Sequence, residues 1–355
     1  MEKLNVCVLF GGISPEHEVS LRSAESVLLN LNPEKYNIIP VGITKKGNWI
    51  RYGGTDYTAL PSGAWEEHPD NRKATISPIR GQGLLCFEGD CAFREMIDVV
   101  FPVLHGENGE DGSVQGLLQL AGIPFVGPGV AASAVAMDKT MTKLVADSER
   151  VDQAAWLLVR SNELNSRLDA ILDAIENRFT YPVFIKPAGT GSSVGVSKAA
   201  NRENAREALL AAGRYDRKIL VEEFIDGAEV EVAVLGNDNP AASVCGEIAS
   251  GAEFYDYDAK YVNDTSVAYI PARISEEVAE QVRELAVKVY SAVGCKGLSR
   301  VDFFVTKENR IVFNEINTLP GFTSISMYPK LFAASGIPYS DLLDSLIQLA
   351  LEEHR

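Results

Sequence analysis

The sequence has few cysteines and no long apolar run. Its five cysteines are scattered and include no C-x-x-C pair, which argues against a disulfide framework and a zinc site and predicts a reducing compartment. The first apolar run, 6–10, is too short for the core of a signal peptide, and no later run approaches the roughly 18 apolar residues of a membrane helix. We therefore expect a cytoplasmic protein that is neither exported nor membrane-spanning.

Basic residues are also scarce. There are 33 Lys and Arg against 49 Asp and Glu, which gives a formal net charge of −16, and no local basic stripe is present, so nucleic acid is not an expected partner. An anionic nucleotide can approach such a protein only where local cations and backbone N–H groups outweigh the general field. Lys139, Lys186 and Arg300 are therefore candidates for a phosphate site.

The composition is otherwise that of an ordinary globular protein. Its 355 residues are 46% hydrophobic and 23% charged, enough for two or three domains. Strands and helices alternate in the first third, which predicts an α/β layer; 51–94 has little periodicity and is expected to be an irregular insertion. One helix is predicted over 130–146. We expect an α/β (α+β) fold of three units, 1–138, 139–225 and 226–355.

Two predicted strands of the first unit end in polar, glycine-rich loops. In LFGGISPEHEVS, 9–20, the glycines usually serve only the turn, but Glu16 lies at the carboxyl end of the strand, where open α/β sheets bind ligands. An acid there could bind an ammonium group. In FPVLHGENGEDGSVQG, 101–116, His105 is more often a packed loop histidine than a functional group, although it would reach the same edge.

A glycine- and serine-rich loop follows the strand that contains Lys186. In FIKPAGTGSSVGV, 184–196, the simplest interpretation is a flexible hairpin. Against it, glycines let backbone N–H groups approach phosphate oxygens, Ser192 and Ser193 add hydroxyl donors, and Lys186 adds a charge. The segment is not a P-loop, because G-x-x-x-x-G-K-[S/T] is absent.

Acidic residues close another predicted strand at VEEF, 221–224, and Glu229 follows. Acids at a strand exit usually face solvent. At a hinge between domains they could instead bind the amino group of adenine and the hydroxyls of ribose.

Two later strands carry pairs of polar residues two positions apart. Arg300 and Asp302 lie on LSRVDFFV, and Glu315 and Asn317 on RIVFNEIN, so an antiparallel pair could direct all four side chains into one cleft. A structural Arg–carboxylate pair would explain Arg300 and one acid. Metal ligation is the better account of the rest, because Mg²⁺ prefers oxygen ligands that include one or two carboxylates.

Taken together, these motifs resemble the D-alanine–D-alanine ligases of the ATP-grasp superfamily, whose relatives include the glycopeptide-resistance ligases. The resemblance rests on GGISPEHEVS, LHGENGEDGSVQG, MDKTMTK, YPVFIKPAGTGSSVG, VEEFIDGAEVEVAV, EFYDYDAKY, SRVDFF and FNEINTLPGFTSISMYP. It covers residues 6 to about 346, with weak matches over 51–94 and around 148–158, where the Gly-Ile-Pro-type turn of relatives is missing.

The resemblance implies a three-domain ATP-grasp architecture with an N-terminal α/β domain. It implies an enzyme that joins two D-alanines at the expense of ATP, through an acyl phosphate, for peptidoglycan synthesis. Ligation of D-serine or D-lactate as the second substrate is the alternative within enzymes. A nucleotide-binding regulatory module without turnover is a different alternative, but it would not need both metal ligands and an oxyanion donor such as Arg300.

The resemblance also assigns roles to individual residues. Nucleotide and phosphate binding falls to Lys139, Lys186, Ser193, Glu222, Glu223, Ile225, Glu229 and Lys260. Two Mg²⁺ ions, with Mn²⁺ as a possible substitute, would be held by Asp302, Glu315 and Asn317. The catalytic set is Glu16, Ser192, Tyr261, Arg300 and Gly321. The substrate-binding set is His105, Ser326 and Met327. We further expect a homodimer. We also expect residues 250–266 to form a lid that closes over the site through Tyr261.

Overall fold

Three β-sheets follow one another along the chain. They are seen in a computed structural model that describes residues 3–192, 194–249 and 267–354. Helices and sheets alternate or pack in layers, as the expected α/β (α+β) class requires. Within the described ranges, no helix combines the length and apolar character needed to cross a membrane.

The first sheet positions the loops that contain Glu16 and His105. Its strands are β1 Leu4–Gly11, β2 Tyr36–Ile43, β3 Trp49–Arg51, β4 Arg72–Ile76, β5 Leu84–Glu88, β6 Cys91–Glu95 and β7 Val99–Leu104. They lie in the order β6-β5-β4-β3-β2-β1-β7, and β1 pairs in parallel with both β2 and β7. Helices α1 His17–Asn30 and α2 Ser113–Ala121 follow β1 and β7. The polar loops after β1 and β7 therefore meet at one edge of the sheet.

The expectation of an irregular insertion over 51–94 is wrong. This segment contains β4, β5 and β6, which extend the first sheet through antiparallel pairing. The strands are five residues long, and β6 is mostly exposed. Short edge strands need no continuous apolar run, so their periodicity is weak and the pairing itself defines them.

The single helix predicted over 130–146 is also wrong, because the structure has two helices there. α3 spans Val130–Met137 and α4 spans Lys139–Ser148. Asp138 between them is extended, and its side chain accepts hydrogen bonds from the N–H groups of Thr140 and Met141. An aspartate that caps a new helix in this way separates the two helices.

The second sheet carries the glycine- and serine-rich loop. Its strands are β8 Trp156–Arg160, β9 Val183–Pro187, β10 Ser197–Ala199 and β11 Lys218–Glu223, in the order β10-β9-β11-β8. Helices α5 Leu164–Arg178 and α6 Arg202–Ala212 pack against it through a shared core. The loop between β9 and β10 starts directly after Lys186 and Pro187.

The third sheet presents the predicted metal ligands. Its strands are β12 Gly227–Leu235, β13 Ala241–Ala242, β14 Gly246–Ala249, β15 Val267–Tyr269, β16 Leu298–Thr306 and β17 Ile311–Asn317. β15, β14, β12, β16 and β17 lie in that order, with β13 beside β12. The long helix α7 Glu276–Val293 packs on this sheet through apolar residues spaced three and four apart, such as Val278, Val282, Ala286 and Val289.

Of the last two helices, the first packs on β12 of the third sheet and the second returns to the first sheet. They are α8 Met327–Ala334 and α9 Tyr339–Glu353. Leu342 and Leu346 of α9 share a core with Val6 and Val99. The three sheets fall within the three predicted units, but the exact division of the chain at 138 and 225 stays a prediction.

Candidate active site

A cavity of about 440 Å³ lies between the second and third sheets. The loop after β9, the end of β11 and the end of β17 supply much of its wall. The sequence-predicted residues that line it are Lys139, Lys186, Ser192, Glu222, Glu223, Ile225, Glu229, Glu315 and Asn317. The structure thus brings together most of the residues proposed for nucleotide and metal binding.

The paired strands β16 and β17 place four polar residues on neighbouring positions. Arg300 lies opposite Asn317, and Asp302 lies opposite Glu315. Directly opposed residues of antiparallel strands present their side chains on the same face. The convergence expected from the two-residue spacing is therefore present.

Arg300 holds Asp302 through two hydrogen bonds. Its Nε donates to Oδ1 at 2.8 Å and its Nη2 donates to Oδ2 at 2.7 Å, while Glu231 Oε2 lies 3.2 Å from Nε. Burial by itself would lower the pKa of Arg300, but the carboxylates of Asp302 and Glu231 raise that pKa well above its ordinary value. Arg300 is thus a permanent, oriented cation. The Arg–carboxylate pair considered from the sequence does exist, between residues of a single strand.

The donor set at this place fits a divalent cation by its chemistry. Asp302 and Glu315 contribute carboxylates, and Asn317 Nδ2 donates to Asp302 Oδ2 at 2.9 Å, which leaves the amide oxygen as a ligand. Mg²⁺ prefers such all-oxygen sets, completed by substrate phosphates and water. In the described part of the chain, no group of three or more His, Cys, Asp or Glu side chains is arranged to hold a metal. A bound cation would therefore share Asp302 with Arg300 and depend on Asn317 and the substrate.

Lys186 and Glu222, which line the cavity, form a buried ion group with Lys143. Glu222 Oε2 lies 2.6 Å from Lys186 Nζ, and Glu222 Oε1 lies 2.6 Å from Lys143 Nζ. Burial would raise the pKa of Glu222, but Lys186 and Lys143 lower it to about 2. Both carboxylate oxygens of Glu222 thus face lysines, so contact with a nucleotide would come from its backbone.

Helix α4 delivers a second lysine to the loop after β9. Lys139 Nζ donates to the carbonyl of Thr190 at 2.7 Å, and the Lys139 N–H donates to the carbonyl of Ala188 at 3.0 Å. Lys139 and Lys186 line the same cavity, together with Thr190, Gly191 and Ser192 of this loop. Two lysines and a run of backbone N–H groups can together bind polyphosphate.

Glu16 and Ser192 join the first sheet to this loop. Ser192 Oγ donates to Glu16 Oε1, and Ser192 has a left-handed backbone with φ 46°. A Cβ at Gly191 would lie 2.9 Å from Glu16 Oε2, and one at Gly106 would lie 2.6 Å from the same atom. The two glycine positions therefore leave room for the carboxylate of Glu16.

His105 is buried next to Glu16 and is tied to the chain after β17. Its Nδ1 lies 3.1 Å from the carbonyl of Leu319, and its Nε2 lies 3.3 Å from Ser23 Oγ. Burial lowers the pKa of His105, against the opposing effect of the Glu16 carboxylate. The side chain is packed, as a loop histidine often is, and its role near the carboxylate of the first substrate stays a prediction.

Glu110 is a residue of this site that the sequence reasoning missed. Its carboxylate accepts hydrogen bonds from the N–H of Gly106 at 2.7 Å and from the N–H of Leu319 at 3.3 Å. Burial, reinforced by the charge of Glu16, raises the pKa of Glu110 to about 8. Glu110 lies in the GENGEDG loop that drew attention to His105, and its position at the shared sheet edge was the available signal.

The raised pKa of Glu110 predicts a pH-dependent stability. Between its unfolded value near 4.5 and about 8, the folded protein keeps a proton that the unfolded chain releases, so the free energy of unfolding falls as pH rises. Glu110→Gln removes this titration. From pH 5.5 to about 8 the melting temperature of the unmodified protein should fall relative to that of the variant by roughly 2 °C per pH unit, and it should level off above that pH. Glu107→Gln changes an exposed residue of the same loop, and its melting temperature should depend on pH as that of the unmodified protein does. If the melting temperature of Glu110→Gln had the same pH dependence as that of the unmodified protein, Glu110 would not be the group with the raised pKa.

The predicted acceptor residues lie where β17 leads into α8. Ser326 Oγ accepts a hydrogen bond from the N–H of Thr323 at 3.0 Å, and a Cβ at Gly321 would lie 2.8 Å from that Oγ. Met327 is only 6% exposed, and its Cε lies 2.3 Å from where a Cβ of Gly246 would stand. Ser326 and Gly321 are thus neighbours, whereas Met327 packs into the core and is not among the residues that line the cleft.

Some predicted residues lie outside the described ranges. They are Ser193, Lys260 and Tyr261, together with the predicted lid over 250–266. Their roles remain predictions.

Comparison with known proteins gives a consistent result over the whole chain. Two family models match: that of the D-ala D-ala ligase N-terminus over residues 5–128, and that of the D-ala D-ala ligase C-terminus over residues 145–348. The D-alanine–D-alanine ligase of Acetivibrio thermocellus is 50% identical, with 99% of this chain and 97% of that protein covered. That of Caldicellulosiruptor bescii is 49% identical, with 100% and 97% covered.

Solved structures agree. The VanG D-Ala:D-Ser ligase of Enterococcus faecalis superposes with a TM-score of 0.89 at 40% identity, covering 98% of this chain and 100% of that chain. The D-alanine-D-alanine ligase of Coxiella burnetii gives a TM-score of 0.84 at 36% identity, covering 99% and 96%.

Proposed function

The chain belongs to the D-alanine–D-alanine ligase family, and we propose that it uses the cleft between the second and third sheets to join two D-alanines at the expense of ATP. The fold and the enzyme class implied by the sequence motifs are thereby confirmed. The family's reaction passes through an acyl phosphate and supplies a dipeptide for peptidoglycan. The observation that carries the placement is the meeting of Lys139, Lys186, Glu315 and Asn317 around one cavity.

On the nucleotide side, Lys139 and Lys186 bind the phosphates of ATP. The main chain around Glu222, Glu223 and Ile225 and the side chain of Glu229 would hold the adenosine part, with Ser193 and Lys260 as further contacts. Glu222, Glu223, Ile225 and Glu229 line the same cavity as the two lysines, which supports this division. Divalent metal, proposed as two Mg²⁺ ions, would be held by Asp302, Glu315 and Asn317, and when bound it neutralises charge on the phosphate oxygens.

On the substrate side, Glu16 binds the ammonium of the first D-alanine. Ser192 orients the Glu16 carboxylate through its hydrogen bond, and Tyr261 is proposed to complete this set. His105 lies near the carboxylate of the first substrate. The second D-alanine would bind beside Ser326, with Met327 behind it as an apolar surface.

Arg300 stabilises the oxyanion that forms when the amine attacks. Its Nε and Nη2 contact Asp302 and Glu231, which fixes the direction of the guanidinium, and the Gly321 N–H is the proposed second donor. A preoriented cation of this kind acts without reorganising during the reaction. We further propose a cytoplasmic homodimer.

Ligation of D-serine is the second candidate, favoured by the similarity to the VanG D-Ala:D-Ser ligase. The resemblance assigns Met327 to the acceptor pocket, where a thioether would offer a methyl group a surface but give a serine hydroxyl no strong hydrogen bond, and this favours D-alanine. Such a pocket cannot strongly reject an added hydroxyl, so we expect D-serine to be used about 10²-fold less efficiently than D-alanine.

A single assay tests the activity and the acceptor together. ATP-dependent phosphate release should require D-alanine, and mass spectrometry of products made from equal D-alanine and D-serine should show D-alanyl-D-alanine in large excess. Predominance of D-alanyl-D-serine would overturn the acceptor but keep the ligase. Phosphate release unaffected by D-alanine would overturn both.

A further inference from the structure

Lys143 is a buried lysine to which neither the motifs nor the resemblance assigns a role. Its side chain is 3% exposed, and its Nζ lies 2.6 Å from Glu222 Oε1. Gln153 Oε1 accepts from the same Nζ at 3.4 Å, and Gln153 is in turn held by the carbonyl of Lys143 at 2.9 Å and by Asp147 at 2.6 Å. The ammonium is therefore held in one position.

Helix α4 presents Lys143 one turn after Lys139. Residues four apart lie on the same side of a helix, and Lys139 reaches the loop after β9 while Lys143 reaches Glu222 below it. Lys186 approaches Glu222 from the neighbouring strand, where it lies opposite Leu220, two positions from Glu222. One carboxylate thus stands between two lysines that come from different elements.

A one-to-one pair of Lys186 and Glu222 would already balance both charges. A second buried ammonium adds a desolvation cost, and an apolar side chain could fill the same space at no such cost. With Lys143 on Oε1, Lys186 is restricted to Oε2 of Glu222. The three side chains together then carry a net positive charge next to the cavity. Without Lys143, Glu222 could take Lys186 with both oxygens and compete with phosphate for it.

We propose that Lys143 is a positioning residue for ATP binding, which acts through Glu222 to keep Lys186 directed at the phosphates. This rests on the proposed phosphate-binding role of Lys186. Lys143 touches no substrate in this scheme, and its effect requires the Glu222 carboxylate.

The test is ATP affinity, measured by calorimetry with ATP and Mg²⁺ in the absence of D-alanine. Lys143→Met should raise the Kd about tenfold, an effect typical of residues that act through a packed network. The KM for ATP should rise similarly, with little change in the KM for D-alanine. Lys288 on α7 is an exposed lysine that pairs with Glu149, and Lys288→Met should leave the Kd unchanged. A folded Lys143→Met protein with an unchanged Kd would overturn the proposal, whatever its melting temperature.

A double variant tests the route through Glu222. Glu222→Gln and Lys143→Met/Glu222→Gln should bind ATP with the same Kd, because Lys143 has nothing to act on once the carboxylate is gone. Glu222→Gln alone leaves the ammoniums of Lys143 and Lys186 both without this carboxylate. The double variant removes one of these two buried charges, so it can be measured even if Lys143→Met does not fold. A further tenfold loss in the double variant would overturn the proposal.

Lys186→Ala separates this proposal from the assignment beneath it. That variant should itself weaken ATP binding, since it removes a charge from the phosphate site of an acidic protein. An unchanged Kd for Lys186→Ala would reject the phosphate role of Lys186. A higher Kd for ATP in Lys186→Ala, together with an unchanged Kd in Lys143→Met, would reject only the inference about Lys143.

Discussion

Glu315→Gln should lower kcat by about 10³-fold, since a metal ion contributes several kcal/mol of charge stabilisation in phosphoryl transfer and each ~1.4 kcal/mol is a factor of ten. The carboxamide has the volume of the carboxylate but is a poor ligand for Mg²⁺. The fold should survive, because Glu315 is half-buried at a cavity wall and the change creates no void. Phosphate release at saturating ATP and D-alanine is the measurement.

The control for this experiment lies in the same hairpin. Glu308→Gln alters an exposed acid in the turn between β16 and β17 and should retain full activity. The concentration of Mg²⁺ needed for half-maximal rate should rise for Glu315→Gln and not for Glu308→Gln. Near-normal turnover by a folded Glu315→Gln protein would show that Glu315 is a structural partner of its neighbours and not a metal ligand.

Local patterns were enough to predict the strand ends that carry the chemistry. The two-residue spacing of Arg300 and Asp302 and of Glu315 and Asn317 predicted one shared face, and the register of β16 and β17 confirms it. This worked because alternation along a strand is a local property. The roles of the individual residues came from the resemblance, and those roles remain predictions.

What the sequence could not show depends on contacts between distant residues. The partner of Lys143 on α4 is Glu222 on β11. Nothing in the sequence around Lys143 indicates this contact. The pKa of Glu110 is raised by burial and by the charge of Glu16, which belongs to a different loop. The strands β4 to β6 are likewise defined by pairing, because their short, partly exposed sequences carry little periodicity.

Arg300→Lys should lower kcat by about 10²-fold or more, in the range found when an oxyanion donor is removed. Lysine keeps the charge but loses the planar fork that grips Asp302 through Nε and Nη2, so its ammonium would settle on Asp302 and Glu231 and withdraw from the reacting oxygen. The KM for ATP should change little, because Arg300 is not among the residues that line the nucleotide cavity.

The choice of lysine, not an apolar residue, keeps this last experiment interpretable. Removing the cation altogether would leave Asp302, which is 1% exposed, as an uncompensated buried charge and could cost about 3–5 kcal/mol of stability. Arg51→Lys is the matched control, because Arg51 pairs with Glu95 in the first sheet at 3.2 Å and is similarly half-buried. That variant should keep kcat. If Arg300→Lys also kept kcat while it melted like the unmodified protein, the guanidinium would serve the fold of the third sheet, and the oxyanion would need another donor.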